Sequence, residues 1–239
     1  DMWEGAGTSI FDPVLCEIAY KWFCPPGGTI IDPFAGGSVR GLVAGYLDYA
    51  YYGVDLRAEQ VEANNEQRNK ILNKKAPIKW VTGDSTKAAS WKSAPEADFV
   101  FTCPPYFDLE VYSDDISNAE DVDDFFDLLH SSFEHADKKL KNNRFACVVM
   151  GEVRDDNGPL HSMIGKTVEA ARQVGWDYYN DAILLTAVGS LALRAGRIFS
   201  GGRKLGRSHQ YVLVFCKGDW KKAHKECGPL TDLVSDLEE

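Results

Sequence analysis

Buried-type apolar runs alternate with segments of helical periodicity from Phe11 to Phe215, and no other feature limits the possible folds as tightly. Asp12-Pro13 forms a cap and first-turn pair, and Phe11 before it with Val14, Leu15, Ile18 and Trp22 after it fall at helical spacing. Pro25-Pro26-Gly27-Gly28 stops that helix. Thr29-Ile30-Ile31 then reads as a short buried strand ending at Asp32, with a helix from Val39 to Leu47 behind a glycine turn. Tyr51 to Asp55 is a second strand, Arg57 to Asn73 a polar helix, and Ile78 to Val81 and Asp98 to Thr102 a third and a fourth strand. Val122, Phe125, Phe126, Leu129, Phe133 and Leu140 give an amphipathic helical stripe, followed by a fifth strand at Phe145 to Met150 and a helix from Leu160 to Val174. Ile183 to Ala187 and Tyr211 to Phe215 are the last strand signals. Strands separated by helices predict βαβ units, hence a doubly wound α/β fold with a mostly parallel sheet covered on both faces. With no internal repeat or linker, residues 1–227 are expected to form one domain and 228–239 a short, acidic, loose tail.

Composition removes other classes. At 239 residues, 44% hydrophobic and 26% charged, the chain lies close to a globular average. No apolar run approaches the roughly 18 residues that span a bilayer, and nothing at the start reads as a signal peptide. Six cysteines without any CxxC spacing, and five histidines without a cluster, point away from a metal site or a disulfide framework and towards a reducing cytoplasm. The net charge of −10 is unevenly spread. Residues 108–137 hold eleven acids and no Lys or Arg, whereas Arg194, Arg197, Arg203, Lys204 and Arg207 fall in a stretch with no acid. Segregated charge of this kind suits phosphate binding by the basic stretch, with a solvated loop as the alternative. Gly196, Gly201, Gly202 and Gly206 predict that this stretch is a mobile loop.

Asp32-Pro33-Phe34-Ala35-Gly36-Gly37-Ser38 stands where the first strand ends and a helix begins, the place where open α/β sheets bind ligands. Adjacent glycines let the backbone approach a bound group, and the helix start offers free N–H donors. Asp55, followed by Leu56, ends the second strand, where an acid suits the hydroxyls of a ribose. Gly83-Asp84-Ser85 ends the third. Together these favour a nucleoside-like cofactor over a plain tight turn.

The fourth strand runs into Cys103-Pro104-Pro105-Tyr106, a rigid corner carrying an aromatic ring. The pairing of a DPFAGGS turn with a CPPY corner at successive strand ends resembles the S-adenosylmethionine (SAM)-dependent DNA amino-methyltransferases, which modify adenine N6 or cytosine N4. Gly7-Thr8-Ser9-Ile10-Phe11-Asp12-Pro13 is similar to that family's preceding cofactor segment, so the resemblance spans residues 7–217. It implies a Rossmann-like methyltransferase sheet with a C-terminal antiparallel strand. It further implies SAM held by Thr8, Ser9, Phe11, the 32–38 turn, Asp55, Leu56, Asp84, Ser85 and Cys103, and catalysis at Cys103, Pro104, Pro105 and Tyr106. The expected partner is DNA, with neither metal nor membrane.

Cys103 departs from the Asp, Asn or Ser usual at its position, and a thiol is a weak acceptor. It stands before the prolines, unlike the nucleophilic cysteine of carbon-5 cytosine methylases, and reads equally as a small strand-end residue or a substrate contact. Similar corners occur in RNA-amine and protein-glutamine methyltransferases, and a catalytically idle DNA-binding module is a further alternative. About seventy residues separate the two motifs, too few for a separate target-recognition domain beside the core elements. Target base, sequence context and oligomeric state stay open at this level.

Overall fold

The computed structural model describes residues 11–72, 76–107, 119, 121–186, 189 and 191–230. Helix α1 (Pro13–Phe23) leads into β1 (Thr29–Asp32), α2 (Val39–Tyr46), β2 (Ala50–Asp55), α3 (Ala58–Ile71) and β3 (Ile78–Thr82). After a 3-10 turn at Ala88–Trp91 come β4 (Ala97–Thr102), α4 (Val122–Asp137), β5 (Leu140–Met150), α5 (Met163–Gln173) and β6 (Trp176–Leu185). Helix α6 (Leu191–Gly202), β7 (His209–Lys217) and α7 (Trp220–Cys227) complete the order. The seven strands form one sheet in the order β3-β2-β1-β4-β5-β7-β6. All neighbours pair in parallel except β7, which is antiparallel to both β5 and β6. This is the predicted doubly wound, mostly parallel arrangement.

Local chemistry starts and stops these elements where the sequence marks them. Asp12 caps α1 by accepting from the Val14 and Leu15 amides, with Pro13 in the first turn. Asp121 caps α4 in the same way through Asp123 and Asp124. One face of the sheet is covered by α4 and α5, which bury Phe125, Leu129, Phe133 and Ala171 beside Trp176 of β6. The other is covered by α1 and α2, with Tyr20 and Ala44 against Tyr51, Trp80, Phe99 and Phe101. Full burial of each such aromatic contributes about 1.5–3 kcal/mol. At the N-terminal end of the sheet, Asp98 ties three strands together, accepting from the Thr29 amide, Lys141 and Arg144. Burial pushes its carboxyl up, and those donors outweigh the push and hold it below the usual range.

Three expectations needed correction. Leu140 belongs to β5 and not to the α4 stripe, because the chain turns at Lys138–Lys139 and the strand begins five residues before Phe145. Strand β6 starts at Trp176, well before Ile183, and the polar residues 177–181 hid it because this edge strand is exposed over most of its length. The basic stretch is helical as far as Gly202 rather than a loop, since its Leu, Ala and Arg residues favour helix and the Gly201-Gly202 pair falls only at its end. Arg203 closes the helix in the left-handed region, at φ 55°, with its N–H donated to Phe199 O at 2.7 Å. Helix α7 went unrecognised, being short and strongly basic. Thr8 and Ser9, part of the acidic 108–137 segment, and residues 231–239 of the expected tail lie outside the described residues.

Candidate active site

The strand order reverses between β1 and β4. Chain passes outward from β1 to β2 and β3, then returns to the other side of β1 as β4. Such a switch point leaves a crevice beyond the strand ends, and the DPFAGGS turn and the CPPY corner flank it on adjacent strands. Ile31 pairs with Val100, so Asp32 and Thr102 end their strands side by side. Thr102 Oγ1 donates to Asp32 Oδ1 at 2.6 Å, joining the two motifs directly.

Asp32 is completely buried and fully engaged. Its Oδ1 also accepts from the Phe34 amide at 3.1 Å; its Oδ2 accepts from Arg40 Nε at 2.6 Å and Tyr51 Oη at 2.7 Å. Arg40, 4% exposed, spends its Nη2 on the carbonyls of Phe34 (2.5 Å) and Ala35 (2.9 Å), and its guanidinium lies 4.6 Å from the centre of the Phe11 ring. Phe11 itself meets Phe101 edge-on at 5.7 Å. In this arrangement Asp32 acts as the anchor of the turn, and Arg40 holds the turn's carbonyls in place. Sequence reasoning missed Arg40, although an arginine in the first turn of the helix behind a buried strand-end acid is a usable signal.

The glycines face the crevice. Gly36 has φ 50°, a conformation that other side chains resist, and its N–H donates to Asp55 Oδ2 at 2.8 Å. Asn64, also missed and 1% exposed, donates from Nδ2 to the Gly36 carbonyl at 2.7 Å. A Cβ on Gly37 would meet nothing within 4 Å, so the backbone there borders open space. Pro33, Ala35 and Ser38 are buried, with Ser38 Oγ bonded to Gln67 Oε1 and so not capping α2. Asp55 accepts the Arg57 amide on Oδ1 at 3.0 Å, and burial pushes its carboxyl above the ordinary range despite that bond, the nearby Arg57 charge and the Gly36 amide. Half-buried Leu56 follows it. Asp84 Oδ1 accepts from the Thr86 amide and hydroxyl, leaving Oδ2 without a partner among the described residues. Ser85 is turned inward onto Ser132 Oγ at 2.8 Å.

A nucleoside-bearing cofactor fits this set. Gly37 leaves room for it, Asp55 and Asp84 keep acceptor capacity, and the start of α2 supplies amide donors. Among the described residues no three His, Cys, Asp or Glu side chains could hold a metal ion.

At the corner, Cys103 is half-buried with Sγ 4.0 Å from the Pro104 carbonyl oxygen. Pro104 is buried and Pro105 half-buried. Phe107 anchors the segment between Phe125 (ring centres 5.9 Å apart) and His161 (5.3 Å). Tyr106 lies against Gly151, and its hydroxyl accepts a hydrogen bond from Gln210 Nε2.

The basic residues gather near this end of the sheet. Arg194 and Arg197 are exposed on α6, a helix with no buried residue. Arg203 lies over the Phe199 ring at 5.0 Å, and Lys204 packs on Gly158 of the loop after β5. Arg207 is exposed just ahead of β7. Arg154, missed in the sequence, donates to the Gly158 carbonyl at 2.7 Å and extends the cluster. None of the five predicted cations forms an ion pair among the described residues, so their charges are available to a ligand.

No family model matches this chain, and no curated protein matches it in sequence. Solved structures do match in shape. TrmN from Thermus thermophilus superposes with a TM-score of 0.60 over 89% of this chain at 15% identity, and the chain spans about half (51%) of that protein's length. A TehB-like SAM-dependent methyltransferase from Corynebacterium glutamicum gives 0.52 at 16% identity, covering 89% of this chain and 90% of its own. Magnesium protoporphyrin IX methyltransferase from Synechocystis PCC 6803, crystallised with bound SAM, gives 0.53 at 8% identity over 86% and 76%. The chain has the Rossmann-like fold of SAM-dependent methyltransferases.

Proposed function

We propose that this protein is a DNA methyltransferase that binds SAM and methylates an exocyclic amino nitrogen, adenine N6 or cytosine N4. The observation that carries the reading is the direct coupling of the glycine turn to the CPPY corner through Thr102 and Asp32, with the cations of 194–207 forming no ion pair among the described residues. SAM supplies an electrophilic methyl group on a sulfonium sulfur. The residues here hold and orient. An exocyclic amine is a poor nucleophile because its lone pair is delocalised into the ring. Fixed acceptors at Cys103 and the Pro104 carbonyl bind its N–H bonds and favour a tetrahedral nitrogen. Tyr106 stacks on a base turned out of the duplex, and the 194–207 cations with Arg154 neutralise phosphates. Incubation with methyl-labelled SAM and DNA, RNA or protein, followed by digestion, tests the reading. N6-methyladenine or N4-methylcytosine from DNA is the expected product; label in RNA or in glutamine alone overturns it.

Three outcomes follow from the residue roles. Asp55→Ala weakens SAM binding by about 1–3 kcal/mol in calorimetry, the cost of unmatched hydroxyl partners. Because the Asp55 carboxyl is raised and only its ionised form accepts two hydroxyls, SAM affinity also falls on acidification at a higher pH than an ordinary Asp would set; equal affinity in the variant removes the assignment. Neutralising two of Arg194, Arg197, Arg203, Lys204 and Arg207 flattens the slope of log affinity against log salt by about 1.8 units. An unchanged slope returns these residues to solvent. Cys103→Ser puts a stronger acceptor of similar shape at the corner, so turnover survives or rises. Abolished turnover with 5-methylcytosine as the wild-type product would mean a covalent thiol mechanism instead.

A further inference from the structure

Tyr106 does not set its own orientation. Its ring rests on the backbone of Gly151, the residue after β5, where a Cβ would come within 3.3 Å of Cε1 and Oη and 3.4 Å of Cζ. Any side chain there forces the ring to move by a few tenths of an ångström. The hydroxyl is held by Gln210 Nε2, from the second residue of β7. These two residues, distant in sequence, meet because Met150 pairs with Tyr211 in the antiparallel β5–β7 ladder, which brings positions 151 and 210 together. Phe107, fixed between Phe125 and His161, sets where the ring starts; Gly151 and Gln210 set where it ends.

We infer that Gly151 and Gln210 are positioning residues that fix the plane of the Tyr106 ring, and with it the plane in which a substrate base stacks. The inference rests on the proposed role of Tyr106 for its consequence in catalysis, but not for the seat itself. A ring held before substrate arrives needs no ordering on binding, which favours a geometry aligned for transfer. A glycine at 151 is needed because the ring and the strand end occupy the same space. A long neutral amide at 210 reaches the phenol without placing a charge against the base.

The test uses the full chain. Gln210→Ala lowers kcat about tenfold, the loss of one hydrogen bond's worth of ordering, and leaves the KM for SAM unchanged. Gln210→Glu, which can bond the phenol only by accepting from it and brings a charge beside the base, recovers part of the rate and less than wild type. In a Tyr106→Phe background Gln210→Ala changes kcat by less than about twofold, because its partner is gone. Gly151→Ala lowers kcat in both backgrounds, since the ring remains. Equal losses from Gln210→Ala in both backgrounds overturn the inference. NMR of ring-labelled tyrosine reads the seat without substrate: the Tyr106 resonance, assigned by Tyr106→Phe, shifts in Gln210→Ala and in Gly151→Ala. An unmoved resonance overturns the positioning role even if the enzyme methylates DNA. A moved resonance with no methylated nucleic acid leaves the seat standing and removes the proposed substrate.

Discussion

Tyr106→Ala lowers kcat/KM for the nucleic acid by roughly 5- to 150-fold, the equivalent of losing one base–aromatic stack, while SAM affinity stays within about twofold. The two quantities separate because of where the ring lies. Tyr106 packs on Gly151 and Gln210 at the ends of β5 and β7, whereas the glycine turn, Asp55 and Asp84 belong to β1, β2 and β3 on the other side of β4. Removing the ring therefore leaves the Gly36–Asp55 bond and the Asp32 cluster untouched. Tyr106→Phe is milder, since the stacking surface remains while the Gln210 bond is lost. Single-turnover rates with an extruded or single-stranded target, set beside calorimetry of SAM binding, check both parts. Parallel loss of both would make Tyr106 a cofactor residue. No loss of rate would remove it from the site.

Arg40→Met unfolds or severely weakens the domain, by about 3–5 kcal/mol, because it leaves the Asp32 carboxylate buried without a cation. Asp32 has no exposed surface, and Arg40 supplies one of its two shortest bonds, and its cationic partner, along with two bonds to the turn carbonyls. A loss of that size is a large share of the 5–15 kcal/mol that holds a typical domain together. Denaturant titration of circular dichroism reads it directly. The companion variant separates charge from shape. Asp32→Asn combined with Arg40→Met removes both charges, keeps the acceptor for Thr102 and the Phe34 amide, and recovers much of the stability. A single variant that loses less than about 1 kcal/mol would show that the pair is solvated and does not anchor the turn. In a single variant that still folds, SAM binding weakens as well, since the Phe34 and Ala35 carbonyls lose the donors that shape the turn.

Much of the frame and both motifs are legible in the amino-acid sequence. Thr29-Ile30-Ile31-Asp32 and Asp98 to Thr102 show themselves as strands because apolar runs next to turn residues are local features, set by neighbours a few positions away. The same holds for the Asp12 cap and the Pro104-Pro105 corner. Helix α6 was obscured by its own glycines: the count of Gly residues argued for a loop, while their position, two of them at the very end, allowed a helix. The polar first half of β6 looked like a connection, because an exposed edge strand needs no apolar side chains to pair through its backbone with β7.

The residues that brace the candidate site were less visible for a different reason. Arg40 reads as an ordinary surface arginine until the β1–α2 turn folds it back onto Asp32. Asn64 reaches Gly36 across 28 positions, and Gln210 reaches Tyr106 across 104. Turn and strand chemistry is written in adjacent residues, so the chain itself announces where a ligand site can stand. Which side chains brace that site depends on strand order and register, and those emerge only when distant segments compete to bury their polar groups against one another.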